Sequence, residues 1–215
     1  MAAFAGGLPM LKIWGRTNSI NVQKVMWAVA ELGLPHERSD AGGAFGGLDT
    51  PEYKSKNPNS RIPTIDDNGL IVWESNTVVR YLAARYGAGT LWPDDPAQRV
   101  MADMWMDWQQ TTLLPDMTIV FWGLIRTPED KRDHAAIEAA ARRLGSIWPM
   151  LDERLASRPF VAGEAFTMGD IPVGAACYRY HGLRIGRPRL ANVERWYERL
   201  KERAPFREHV MLPIT

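Results

Sequence analysis

A single cysteine, Cys177, is the only thiol in this 215-residue chain, which excludes an internal disulfide, a CxxC redox pair and a cysteine-built zinc site. An excess of one charge is also missing. With 26 Lys and Arg against 25 Asp and Glu, the formal net charge of +1 supplies no long-range field to recruit nucleic acid or an anionic membrane. No segment approaches the roughly 20 apolar residues of a membrane span, and the small, apolar Met1–Met10 lacks the basic stretch of a secretory signal. His36, His134, His181 and His209 are scattered without ligand spacing, so no metal is expected. No nucleic acid or membrane is expected as a partner, and a reducing cytoplasm suits the lone thiol.

What is present is an ordinary globular composition, 46% hydrophobic and 24% charged, with a change of texture near residue 90. Before it, short apolar runs alternate with helical patterns. Leu11-Lys12-Ile13-Trp14 reads as a strand closed by Gly15, and Val22, Val25, Met26, Val29 and Leu32 then recur at helical spacing. His36–Ser39 reads as a second strand, followed by a glycine-rich loop, 42–47, expected to be mobile and exposed. Asp66-Asp67-Asn68-Gly69 lies between two apolar runs and predicts a hairpin. Glu74-Ser75 opens a helix that ends by Gly87. Strands in this order imply mixed pairing on one small sheet.

After residue 90 nearly everything reads as helix. Ala97 to about Trp122 forms one pattern, bent at Pro115, and Thr127-Pro128-Glu129-Asp130 carries a cap, a proline and an acidic first turn. Thr167 and Asp170 have capping-box spacing, with Phe166 and Ile171 at the staple positions. Asn192–Ala204 forms a last helix, stopped by Pro205.

The N-terminal pattern, the segment Asn57-Pro58-Asn59-Ser60-Arg61-Ile62-Pro63-Thr64-Ile65, the turn Trp73-Glu74-Ser75-Asn76 and the Phe166–Ile171 cap together resemble a cytosolic glutathione transferase. The likeness runs from about residue 10 to the C-terminus, and is nearest to bacterial members with serine or asparagine in the first loop. It implies an α/β thioredoxin-like N-terminal domain with a mixed four-stranded sheet, residues 10–88, a linker over 89–95, and an all-α C-terminal domain, 96–215. It also implies glutathione as co-substrate, a small electrophile as partner, a homodimer, and a role in detoxification.

Glutathione brings two carboxylates, an extended peptide and a thiol, and each needs a different surface. The resemblance places the γ-glutamyl end at Glu74 and Ser75, where a strand meets a helix N-terminus; Ser75 also reads as that helix's cap. Ile62-Pro63 matches the family's cis-proline, although a trans proline at a strand edge is the alternative. Arg61 reaches the glycyl carboxylate or faces solvent. A thiol of reference pKa ~8.5 needs ~1.4 kcal/mol of thiolate stabilisation for each unit by which it is lowered. Ser19 is the first candidate to donate that hydrogen bond, with Asn18, Asn21 and Thr17 as alternatives, and Ser19 also reads as the cap of the first helix.

The resemblance further implies an electrophile pocket between the domains, drawing on Phe45, Trp105, Trp108, Trp122 and Arg126. Most of the nine tryptophans read as core. Arg126 either holds an anionic group or complements a helix C-terminus. Cys177 reads as a buried, inert thiol. Two further readings stay open: a glutathione-dependent disulfide or peroxide reductase that uses no protein cysteine, and a non-catalytic binding module of the same fold.

Overall fold

The computed structural model describes residues 10–215, so of the Met1–Met10 stretch only Met10 is among the described residues. The chain divides into two compact units that meet between Gly87 and Ala88.

In the first unit β1 (Leu11–Trp14) buries Leu11 and Ile13 and exposes Lys12, as its alternation requires. It lies inside a four-stranded sheet of order β2-β1-β3-β4. β2 (His36–Ser39) pairs with it in parallel, while β3 (Thr64–Asp67) pairs antiparallel to β1 and to β4 (Leu70–Trp73). The β3–β4 turn places Asn68 at φ 56° and Gly69 at φ 88°, the left-handed pair that an Asn-Gly hairpin demands. α1 (Ile20–Glu31) follows β1, a short α2 (Pro51–Lys56) precedes β3, and α3 (Ser75–Tyr86) follows β4. α1 packs against α3, and Val22, Val25, Val29, Val78, Val79 and Leu82 are fully buried with Ile65. Each such side chain contributes about 1.5–3 kcal/mol. The glycine-rich loop departs from expectation at its start: Gly42 is buried, and Gly43–Phe45 forms a 3-10 turn.

The second unit is helical. α4 (Pro96–Trp108) continues through a π turn (Gln109–Leu113) into α5 (Leu114–Phe121) and a second π turn (Trp122–Arg126). Pro115 has no N–H to donate; the helix stays continuous past it and reaches Arg126, beyond the Trp122 end read from sequence. The cap expected at Thr127 lies elsewhere. Thr127 is extended, a 3-10 turn spans Glu129–Lys131, and α6 (His134–Arg154) is capped by Asp133, whose carboxylate accepts from the Ala136 N–H at 2.9 Å. Asp133 lies six residues further on, beyond the 3-10 turn and an extended Arg132. α7 (Asp170–Gly182) and α8 (Ala191–Glu202) follow. Pro205 does not end α8; it opens a further helix, α9 (Ala204–His209), at a first-turn position that needs no proline N–H.

Trp148 stacks on Tyr180 at 4.8 Å between centroids and meets Trp108 edge-on at 6.1 Å. These rings and Trp196 are buried in the helical unit. Among the described residues no helix is long and apolar enough to cross a membrane, and no group of three His, Cys, Asp or Glu could hold a metal ion.

Candidate functional site

The first unit brings the starts of α1 and α3 together. Glu74, exposed, turns the chain from β4 into α3 with φ 67° and ψ 110°, a left-handed conformation that costs a non-glycine residue on the order of 1–3 kcal/mol. Ser75 is therefore the first helical residue, and the helix has no side-chain cap. This corrects the reading of Ser75 as a cap. Its hydroxyl donates to Asn21 Oδ1 on α1 at 3.3 Å, because residue N1 lies inside the helix and cannot fold back on its own N–H groups. Ser75 is 7% exposed.

Ser19 occupies the N-cap position of α1 in extended geometry, φ −88° and ψ 121°, and its side chain makes no cap hydrogen bond. Its carbonyl accepts from Gln23 N at 2.9 Å, so the backbone alone begins the helix. The loop ahead of it is held by Gln23 Nε2, which donates to the Thr17 carbonyl at 3.2 Å. Ser19 and Asn18 are half-buried and Thr17 is exposed. Asn21 is thus tied to Ser75, whereas the Ser19 hydroxyl is not spent on its helix.

The peptide bond between Ile62 and Pro63 is cis. The carbonyl just before it, that of Arg61, is gripped by Tyr53 Oη at 2.7 Å and Asn57 Nδ2 at 2.9 Å. Both groups also meet Thr64 Oγ1, which is fully buried. This clamp went unread in the sequence, where Asn57 and Thr64 served only as motif letters; a polar trio flanking X-Pro was the available signal. Among the described residues, neither the N–H nor the C=O of Ile62 has a hydrogen-bond partner. The Arg61 side chain is exposed.

The residues assigned to an electrophile differ in exposure. Phe45 is 59% and Trp122 57% exposed, whereas Trp105 and Trp108 are buried edge to face, 5.0 Å between centroids. Arg126 lies over the Phe121 ring at 5.7 Å. The carbonyls at the end of that helix are instead met by Arg132, which donates to Leu124 and Thr127 at 2.9 and 3.1 Å. A cavity of about 520 Å³ in the helical unit, bordered by Ile137, Arg142, Arg184 and Pro188, includes none of these five residues. Cys177 is fully buried, which pushes its thiol far above the usual range.

The comparisons agree with this geometry. The family model for the glutathione S-transferase N-terminal domain matches residues 9–84, and that for the C-terminal domain matches residues 135–199. The chain is 40% identical over 208 residues to glutathione S-transferase GstB of Escherichia coli strain K12, covering 96% of this chain and all of that protein. A theta class glutathione S-transferase from Xanthomonas axonopodis pv. citri, solved with glutathione bound, superposes with TM-score 0.93 at 44% identity, covering 96% of this chain and all of that one. A glutathione transferase of Bombyx mori superposes at 0.85 and 28% identity, covering 94% of each chain. With both domain models matched and a full-length relative at 40% identity, the chain belongs to the glutathione S-transferase family.

Proposed function

We propose that the first unit binds glutathione and holds its sulfur as a thiolate for attack on a small electrophile. The observation that carries this is the start of α3, where a buried hydroxyl and uncapped N–H groups face no acceptor of their own helix. Such a terminus carries about half a positive elementary charge and suits a carboxylate. In this reading the γ-glutamyl carboxylate accepts from Ser75, Glu74 accepts from the α-ammonium, and the Ile62 backbone pairs with the cysteinyl residue as a strand would. Arg61 is exposed and within the same loop, so it serves the glycyl carboxylate. Ser19 donates to the sulfur. The thiolate then forms a bond to the electrophilic carbon while the leaving group departs with its electron pair.

The crystal of the Xanthomonas relative, 44% identical, contains glutathione, which supports the same ligand here. Because Cys177 is buried, thiol chemistry runs on glutathione's sulfur whether the acceptor is a carbon electrophile, a disulfide or a peroxide. Residues 10–88 form the glutathione-binding domain, 89–95 the linker and 96–215 the helical domain. Phe45, Trp122 and Arg126 are the exposed candidates for meeting the electrophile. A small electrophilic acceptor places the enzyme in detoxification, and the reduced lone thiol fits the cytoplasm. Titration calorimetry tests the reading: wild type binds glutathione, Ser75→Ala and Glu74→Ala each lose at least tenfold, and unchanged affinity in both sinks it.

A further inference from the structure

Lys24 lies on the buried face of α1, among Val22, Val25, Met26 and Val29, and is 1% exposed. Lysine is almost never sealed in this way, because its long stem normally carries the ammonium to water. Here the stem runs toward α3 instead. Its Nζ donates to Asn76 Oδ1 at 3.2 Å and to Ser75 Oγ at 3.5 Å. Both partners belong to the first two residues of α3, the segment where the helix has no side-chain cap.

The direction of these bonds has a chemical consequence. A serine hydroxyl has one hydrogen. With Lys24 donating into the Ser75 oxygen, that hydrogen points away from Lys24, and it is found on Asn21 Oδ1 at 3.3 Å. Ser75 is thereby set as a donor toward its open side. An anion arriving there takes the hydrogen from Asn21, and it meets the partial positive charge of the helix start backed by a full charge one hydrogen bond deeper. Lys24 and Ser75 are both buried, so their interaction is weakly screened.

We infer that Lys24 is a positioning residue that selects the γ-glutamyl carboxylate of glutathione, by orienting the Ser75 hydroxyl and by placing a buried cation behind it. This inference rests on Ser75 as the carboxylate site. It assigns Lys24 no contact with the substrate and no part in the chemistry at sulfur.

The test compares glutathione with its analogue γ-aminobutyryl-cysteinyl-glycine, which lacks only the α-carboxylate and keeps the amine on the same carbon. Calorimetry is run on wild type, Lys24→Met, which keeps the length and removes the charge, and Lys24→Gln, which keeps a donor for Asn76. Both variants should bind glutathione about tenfold more weakly, about 1.4 kcal/mol, and the analogue as wild type does. KM for glutathione should rise accordingly, with kcat at saturation unchanged. Equal loss for both ligands, or full glutathione affinity in Lys24→Gln, overturns the role of Lys24. Wild type that does not distinguish the two ligands overturns the Ser75 site itself. Should Lys24→Met fail to fold, Lys24→Gln decides, since it retains the hydrogen bond and lacks only the charge.

Discussion

At Ser19 a hydroxyl stands at a helix N-cap and makes no bond to that helix. A serine that caps contributes about 1 kcal/mol to stability, so here Ser19→Ala should leave the melting temperature close to that of wild type. If Ser19 stabilises the thiolate, the same variant raises the pKa of bound glutathione by roughly one unit or more and lowers kcat. Thiolate absorbance in the ultraviolet as a function of pH, taken with melting curves, reads both effects. A drop in melting temperature with an unmoved thiol pKa reverses the assignment and turns attention to Asn18 or Asn21. Asn21 is the weaker alternative, because its oxygen accepts from Ser75 and its orientation is therefore set by the carboxylate site.

Among the elements, α7 depends most on one side chain. The Asp170 carboxylate is fully buried and accepts from the N–H groups of Val161 and Thr167, both at 3.0 Å, from Thr167 Oγ1 at 3.4 Å and from Trp196 Nε1 at 2.9 Å. Thr167 Oγ1 in turn accepts from Gly169 N at 3.3 Å, one residue short of the Asp170 N–H that the spacing predicts, so the Asp170 half of the box is formed as expected and Trp196 extends it to α8. Gly169 itself is required by close approach, since an added Cβ would lie 2.9 Å from the Ala102 Cα on α4. Burial raises the Asp170 pKa from 3.8 to about 6, against the lowering effect of its four donors. The folded protein therefore holds a proton between about pH 4 and 6 that the unfolded chain has released, and this group's contribution to stability falls as pH rises through that window. Melting of wild type relative to Asp170→Asn, from pH 4 to 7, should show the difference shrink by up to about 3 kcal/mol and then level off above pH 6. A pH-independent difference would falsify the raised pKa.

For the whole molecule the expected assembly is a homodimer. Val100 and Met104, one turn apart on α4, are 52% and 56% exposed, and Met150 on α6 is 58% exposed. Exposed apolar side chains of this size are compatible with a two-fold interface, and a homodimer is proposed. Light scattering at micromolar concentration should give about twice 24.3 kDa; a single-chain mass contradicts it.

Periodicity and turn chemistry in the sequence were enough for β1, β2, the Asn-Gly hairpin, α1, α3 and the Thr167–Asp170 box, because each rests on contacts within a few residues. The family likeness rested on motifs at the two helix starts and at Ile62-Pro63, which the folded chain displays. Local pattern failed where several nearby residues can serve one helix end and the path of the backbone chooses among them. Asp133 rather than Thr127 caps α6, and Arg132 rather than Arg126 meets the preceding carbonyls. Thr and Asp both serve as caps and the two arginines carry the same donors, so what decides is where the backbone turns. Lys24 is the extreme case. In sequence it is one more cation on an amphipathic helix, and only the packing of α1 on α3 seals it in the interior and aims its ammonium at Ser75 and Asn76, 51 and 52 residues away along the chain.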